Sequence, residues 1–209
     1  MPNWCNNFVE ISHEDPAKIR ALADAMNRGE FCNEIIPVPE DLKIVAGSVG
    51  DPDEQAKLEA QTRANVDKHG YGNWYDFCVN RWGTKWDVGG DGQADVSDDG
   101  LSMNASFDSA WAPPVGVYEE LVNQGYTVVG YYYESGMAFA GVYDNGSDEY
   151  WEISGMSADE VADTLPSELD DMFCISEDIR SYQDEQEEEL TEWIRDGVEA
   201  NDKLKMVQG

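Results

Sequence analysis

The chain's 209 residues include 44 Asp plus Glu against 13 Lys plus Arg, a formal net charge of −31, with 41% hydrophobic and 11% aromatic residues. That apolar content is too high for a disordered polyanion, and the charge repels nucleic-acid phosphates and anionic membranes, so partners drawn in by long-range attraction should be basic. No run approaches the roughly 18 apolar residues of a membrane span. The N-terminus MPNWCNNFVEIS lacks the basic start and apolar stretch of a signal peptide, which points to the cytoplasm.

Along the chain, Phe8-Val9-Glu10-Ile11 alternates as a short strand. Asp15-Pro16 then opens a helix carrying Ile19, Leu22, Ala23 and Met26 at helical spacing, closed by Gly29. The segment NEIIPVPEDL (Asn33 to Leu42) is broken by Pro37 and Pro39 and reads as an extended piece or loop. Asp53 to His69 is helical in composition but weakly amphipathic, hence a surface helix, and Tyr71 to Trp82 reads as a short buried helix. Ala94 to Ser97 and Leu101 to Phe107 form a hairpin about Asp98-Asp99-Gly100. Pro113-Pro114 starts a helix through Val117, Tyr118, Leu121 and Val122, stopped at Gly125. Tyr126 to Tyr133 and Met137 to Tyr143 make a second hairpin, and Glu149 to Ser154 adds a last strand after Asp144-Asn145-Gly146. This is the βαββαβ order of a ferredoxin-like split sheet, an α+β fold, with a helical insertion at about residues 40–85.

Composition shifts near residue 156, dividing the chain into a domain at 1–155 and an acidic helical extension at 156–209. Ser157 and Glu160 form a capping box for a helix toward Leu165. A second helix is expected from Ser176 to about Ala200. There Ile179, Tyr182, Leu190, Trp193, Ile194 and Val198 make an apolar stripe, from which we expect a docked amphipathic helix. From residue 144 to the end there are 21 acidic and 4 basic residues, net −17.

The runs PNWCNNFVEI, NEIIPVPEDL, RWGTKWDV (from Arg81), FDSAWAPPVGVYEEL (from Phe107) and YYYESGMAFAG (from Tyr131) resemble, in that order, the YubB-type or Api-type ferredoxin-like proteins of phages and conjugative plasmids. The resemblance covers roughly residues 1 to 155. It implies the fold and a mobile-element origin, and it supplies no catalytic residues.

Four groups of residues invite a functional reading. Trp82, Lys85, Trp86 and Asp87, with Trp111 nearby, are either a ligand platform or a structural motif. We expect the structural one, with both Trp82 and Trp86 packed under the sheet and Lys85 paired with Asp87 or another acid. The run Asp87 to Asp99 looks like a calcium loop, but the EF-hand register from Asp87 has no closing Glu. A hairpin-bordering acidic loop is the expectation, and a metal- or small-ligand-binding domain built on that loop is the alternative function. His13 and His69 sit in no nucleophile or metal motif. Cys5, Cys32, Cys78 and Cys174 are too far apart for a zinc or thioredoxin-type site and read as free, mostly buried thiols. We therefore expect no enzyme, no cofactor and no metal.

The fourth group is Asp184, Glu185, Glu187, Glu188, Glu189, Glu192, Asp196 and Glu199. Acids one helical turn apart sit about 5–6 Å apart, a spacing that can imitate DNA phosphates. The sequence expectation is an acidic DNA mimic, encoded by a phage or plasmid, that occupies the basic nucleic-acid-binding surface of a host defence protein. Adaptation of an unrelated protein to high salt would produce the same composition.

Overall fold

The computed structural model describes residues 3–208 apart from Asp91, and side chains apart from Leu190 and those from residue 196 onward. It divides into two units, Met1–Glu152 and Ile153–Gly209.

The first unit is built on an antiparallel sheet of six strands: β1 (Trp4–Ser12), β2 (Ala94–Val96), β3 (Ser102–Ala110), β4 (Thr127–Glu134), β5 (Phe139–Asp144) and β6 (Ser147–Glu152), in the order β2-β3-β1-β4-β5-β6. The first four strands stand in the split βαββαβ arrangement, and β5 and β6 extend the sheet beyond β4. Along β1 the side chains of Cys5, Asn7, Val9 and Ile11 are buried. The register sets them beside Ser109, Phe107, Ala105 and Met103 of β3, and sets Asn7 and Ile11 beside Tyr132 and Val128 of β4. Two-residue periodicity thus turns one sheet face into a core wall.

Two helices contribute most of the facing layer. Helix α1 (Pro16–Arg28) is capped by the Asp15 side chain, which accepts from Ala17 N–H, and ends on Gly29 at φ +72°. It buries Ile19, Leu22, Ala23 and Met26. Helix α5 (Val115–Asn123) buries Val117, Tyr118 and Leu121. The helical insertion begins earlier than the expected residue 40: it holds α2 (Phe31–Ile35), a 3-10 turn at Glu40–Leu42, α3 (Pro52–His69) and α4 (Trp74–Arg81). The helical turn α2 corrects the expectation of an extended segment through Asn33 to Leu42. Its Cys32 and Asn33 N–H groups are satisfied by a carboxylate distant in sequence, described below.

In the second unit, α6 (Ala158–Thr164) starts at the expected capping box, with Ser157 Oγ accepting from Glu160 N–H and Glu160 accepting from Ser157 N–H. It is followed by α7 (Ser167–Phe173), which was not expected from the sequence, and by α8 (Ile175–Gln208). Asp170 accepts from the backbone N–H and hydroxyl of Ser176, at 2.7 and 2.6 Å, fixing the start of α8. Ile175 is buried and Ile179 partly so. Arg180 pairs with Asp159 at 2.8 Å.

Beyond that point the expected docking does not occur. Tyr182, Trp193 and Ile194 are 63%, 75% and 52% exposed. The reason is length: α8 has 34 residues, about 51 Å at 1.5 Å per residue, whereas α6 and α7 have seven residues each, about 10 Å. Two short helices cannot cover so long a face. The expected stripe residues Leu190 and Val198 lie outside the described side chains.

Candidate functional site

The loop after α4 and the turn after β3 are bound together by hydrogen bonds. Trp82 is 4% exposed, and its Nε1 donates to the Ile36 carbonyl at 2.9 Å. Thr84 Oγ1 donates to Ala110 O at 3.0 Å, and Gly116 N–H donates to Trp82 O at 3.1 Å. At Gly116 any Cβ would collide with the Arg81 carbonyl, so the two segments can approach this closely only through glycine. Trp111 stands at φ +73°, an uncommon conformation for a non-glycine residue. It is held there by its N–H on the Asn3 carbonyl at 2.9 Å.

Asp87 faces inward. Its carboxylate accepts the backbone N–H of Cys32 at 2.6 Å, of Asn33 at 3.1 Å and of Val88 at 2.9 Å. It therefore closes the N-terminus of α2, where unpaired donors and the helix dipole favour an anion. Burial nonetheless raises its pKa above the ordinary carboxylate value, outweighing the opposite pull of the three N–H groups.

This assignment leaves Lys85 without the expected partner. Its Nζ lies 4.6 Å from the Trp86 ring centroid, 4.9 Å from Trp111 and 5.7 Å from Tyr75. No ion pair among the described residues includes it. Trp86 and Trp111 are 39% and 37% exposed, so only Trp82 of the loop's tryptophans is packed into the core as expected. Trp4 stands 5.9 Å from Trp86, and Tyr75 meets Trp111 edge-on at 6.2 Å. Lys85, Trp86 and Trp111 stand out in their sequence motifs, whereas Tyr75 and Trp4 carry no local signal and are brought to them only by the tertiary fold.

The Asp87 to Asp99 run is dispersed. Asp87 turns to α2. Asp99 accepts from Ser97 Oγ at 2.8 Å and Leu101 N–H at 3.0 Å inside the hairpin turn, which lowers its pKa. Asp95 and Asp98 are exposed, and Asp91 lies outside the described residues. Among the described residues no three His, Cys, Asp or Glu side chains are grouped to hold a metal ion. Cys5, Cys32 and Cys78 are buried and Cys174 is exposed. Burial pushes the Cys5 and Cys78 thiols up to about 12.

On α8, Asp184, Glu185, Glu187, Glu188, Glu189 and Glu192 are all exposed. Glu192 accepts from Arg195 Nη2 at 3.1 Å. At about 100° per residue, Glu185, Glu188, Glu189 and Glu192 share one face, and Tyr182 and Trp193 lie beside it. The backbone is helical at Asp196 and Glu199, whose side chains lie outside the described ones. Among the described residues no helix is long and apolar enough to cross a membrane.

No family model matches this chain, and no curated protein matches it. Among solved structures, it is similar to a protein api92 from Yersinia pseudotuberculosis, of the DUF1281 family model. The likeness has 13% identity and a TM-score of 0.35, over 73% of this chain and 98% of that one.

Proposed function

We propose that this protein is an acidic DNA mimic whose helix α8 occupies the basic nucleic-acid-binding surface of another protein, in the setting its sequence resemblance implies a host defence protein or complex. The observation that supports this reading is the exposed acidic face of Glu185, Glu188, Glu189 and Glu192 on one continuous helix, where among the described residues a cation pairs only with Glu192 of these four. Like charges a turn apart each weaken a helix by about 0.2–0.5 kcal/mol, so stability alone gives no reason for the face. A helix that is already formed presents charges at fixed spacing without the ordering cost a flexible acidic tail would incur on binding.

Charge reversal tests the reading. Wild type and the Glu185→Lys/Glu188→Lys/Glu189→Lys/Glu192→Lys variant are immobilised and used to capture host proteins along a salt gradient. The expected result is one basic DNA-binding protein or complex held by wild type, released steeply with salt and absent from the variant. Capture by both, or capture that persists at molar salt, rejects the reading.

A further inference from the structure

The rings around Lys85 belong to three separate parts of the first unit: Tyr75 to α4, Trp86 to the loop after it, and Trp111 to the turn after β3. Each ring is positioned by something other than the lysine: Tyr75 stands on α4 and meets Trp74 edge-on at 6.0 Å. Trp111 is fixed by its backbone bond to Asn3 and by the edge of Tyr75, Trp86 is backed by Trp4, and the loop is tied down through Thr84 and Gly116. The enclosure is thus preformed. Its mouth is open, since Trp86 and Trp111 each expose more than a third of their surface. Inside it sits an ammonium group that makes no ion pair with a described acid and is retained by the ring faces.

We propose that Tyr75, Trp86 and Trp111 form a cation cage that Lys85 fills from within, and that an alkylated ammonium group of a ligand takes its place. The negative ring faces attract any cation placed within about 6 Å. Methylation keeps the charge and weakens hydration, so a quaternary ammonium loses less on leaving water than the lysine head it displaces. Lys85 swings out on a four-carbon stem, and no ion pair with a described acid has to be broken. A net charge of −31 also concentrates cations and depletes anions around the molecule, which favours this occupant over an anion gripped by Lys85. The site is independent of the acidic face of α8.

Choline and 3,3-dimethylbutanol, its uncharged analogue of nearly the same shape, are titrated against the full chain while the Trp86 and Trp111 indole N–H signals are followed by NMR. The signals are assigned with Trp86→Phe and Trp111→Phe. Choline is expected to shift both signals, and dimethylbutanol to bind more weakly. Lys85→Ala should bind choline about two- to fivefold more tightly, the factor that one exposed cation–π contact represents. Lys57→Ala, the same charge change at an exposed lysine in α3, should leave the affinity unchanged.

A short peptide bearing trimethyllysine separates the sources of such a head group. Tighter binding than choline identifies a modified side chain, and equal binding a free ammonium compound. The proposal is overturned if choline moves neither signal in wild type or Lys85→Ala, if dimethylbutanol binds as well as choline, or if Lys85→Ala gains no more than Lys57→Ala. The wild-type comparison of the two small molecules decides the question even if Lys85→Ala fails to fold.

Discussion

The loop at residues 81–88 and helix α8 hold the two most unusual runs in this sequence, and the fold treats them in opposite ways. In the loop nearly every side chain has a partner: Trp82 the Ile36 carbonyl, Thr84 the Ala110 carbonyl, Asp87 the N-terminus of α2, Lys85 three aromatic rings. On α8 every described side chain from Asp184 to Arg195 faces solvent. Both runs mix aromatic and charged residues. What separates them is the packing partner inside each unit: the loop lies among a six-stranded sheet and its helices, whereas α8 outruns the two seven-residue helices of its own unit. A side chain's fate follows from the partner area available as much as from its own chemistry.

The contrast should appear first in stability. Trp82→Ala removes a buried indole and its hydrogen bond, and we expect a loss of about 3–5 kcal/mol and a melting temperature lower by on the order of 10 °C, read by thermal or urea unfolding. Gly141→Ala tests packing within the sheet, because a Cβ there would collide with the ring of Tyr132, itself held by its hydroxyl on Asp148 at 2.8 Å. Its expected cost is about 1–3 kcal/mol.

A subtler effect follows from Asp87. Its pKa is raised in the fold, so the native state keeps a proton over a pH range where the unfolded chain has lost it. Stability from this group is therefore present at low pH and lost as pH rises through and above the ordinary carboxylate range. The stability of wild type relative to Asp87→Asn should fall from pH 4 to pH 7, and a rise would show that the three N–H bonds outweigh burial. The smallest effect belongs to α8: Trp193→Ala should change stability by less than about 0.5 kcal/mol, since the residue is 75% exposed. A loss comparable with that of Trp82→Ala would break the comparison.

Local signals in the sequence located most of the fold. Asp15-Pro16 and Gly29 bound α1, the turn glycines mark both hairpins, and Ser157 with Glu160 opens α6, because caps and turns act within a few residues of themselves. Helix α2 was not legible, since its N–H groups are answered by Asp87, 55 residues away from Cys32. The Lys85 enclosure was half legible. Trp86 and Trp111 stand out in their motifs, but nothing local places Tyr75 beside them. On α8 the spacing marks the apolar stripe, whose first residue Ile179 is partly buried while Tyr182, Trp193 and Ile194 face solvent. Spacing shows where a partner would fit, and only the neighbouring elements show whether the chain supplies one.

The most direct test of the decoy reading is mutual exclusion. The basic protein captured by wild type is titrated with this chain in the presence of a labelled DNA duplex, at several salt concentrations. The account predicts that the two never bind together, and that affinity for this chain falls steeply with salt, in parallel with affinity for DNA. A stable ternary complex of partner, duplex and this chain would contradict it.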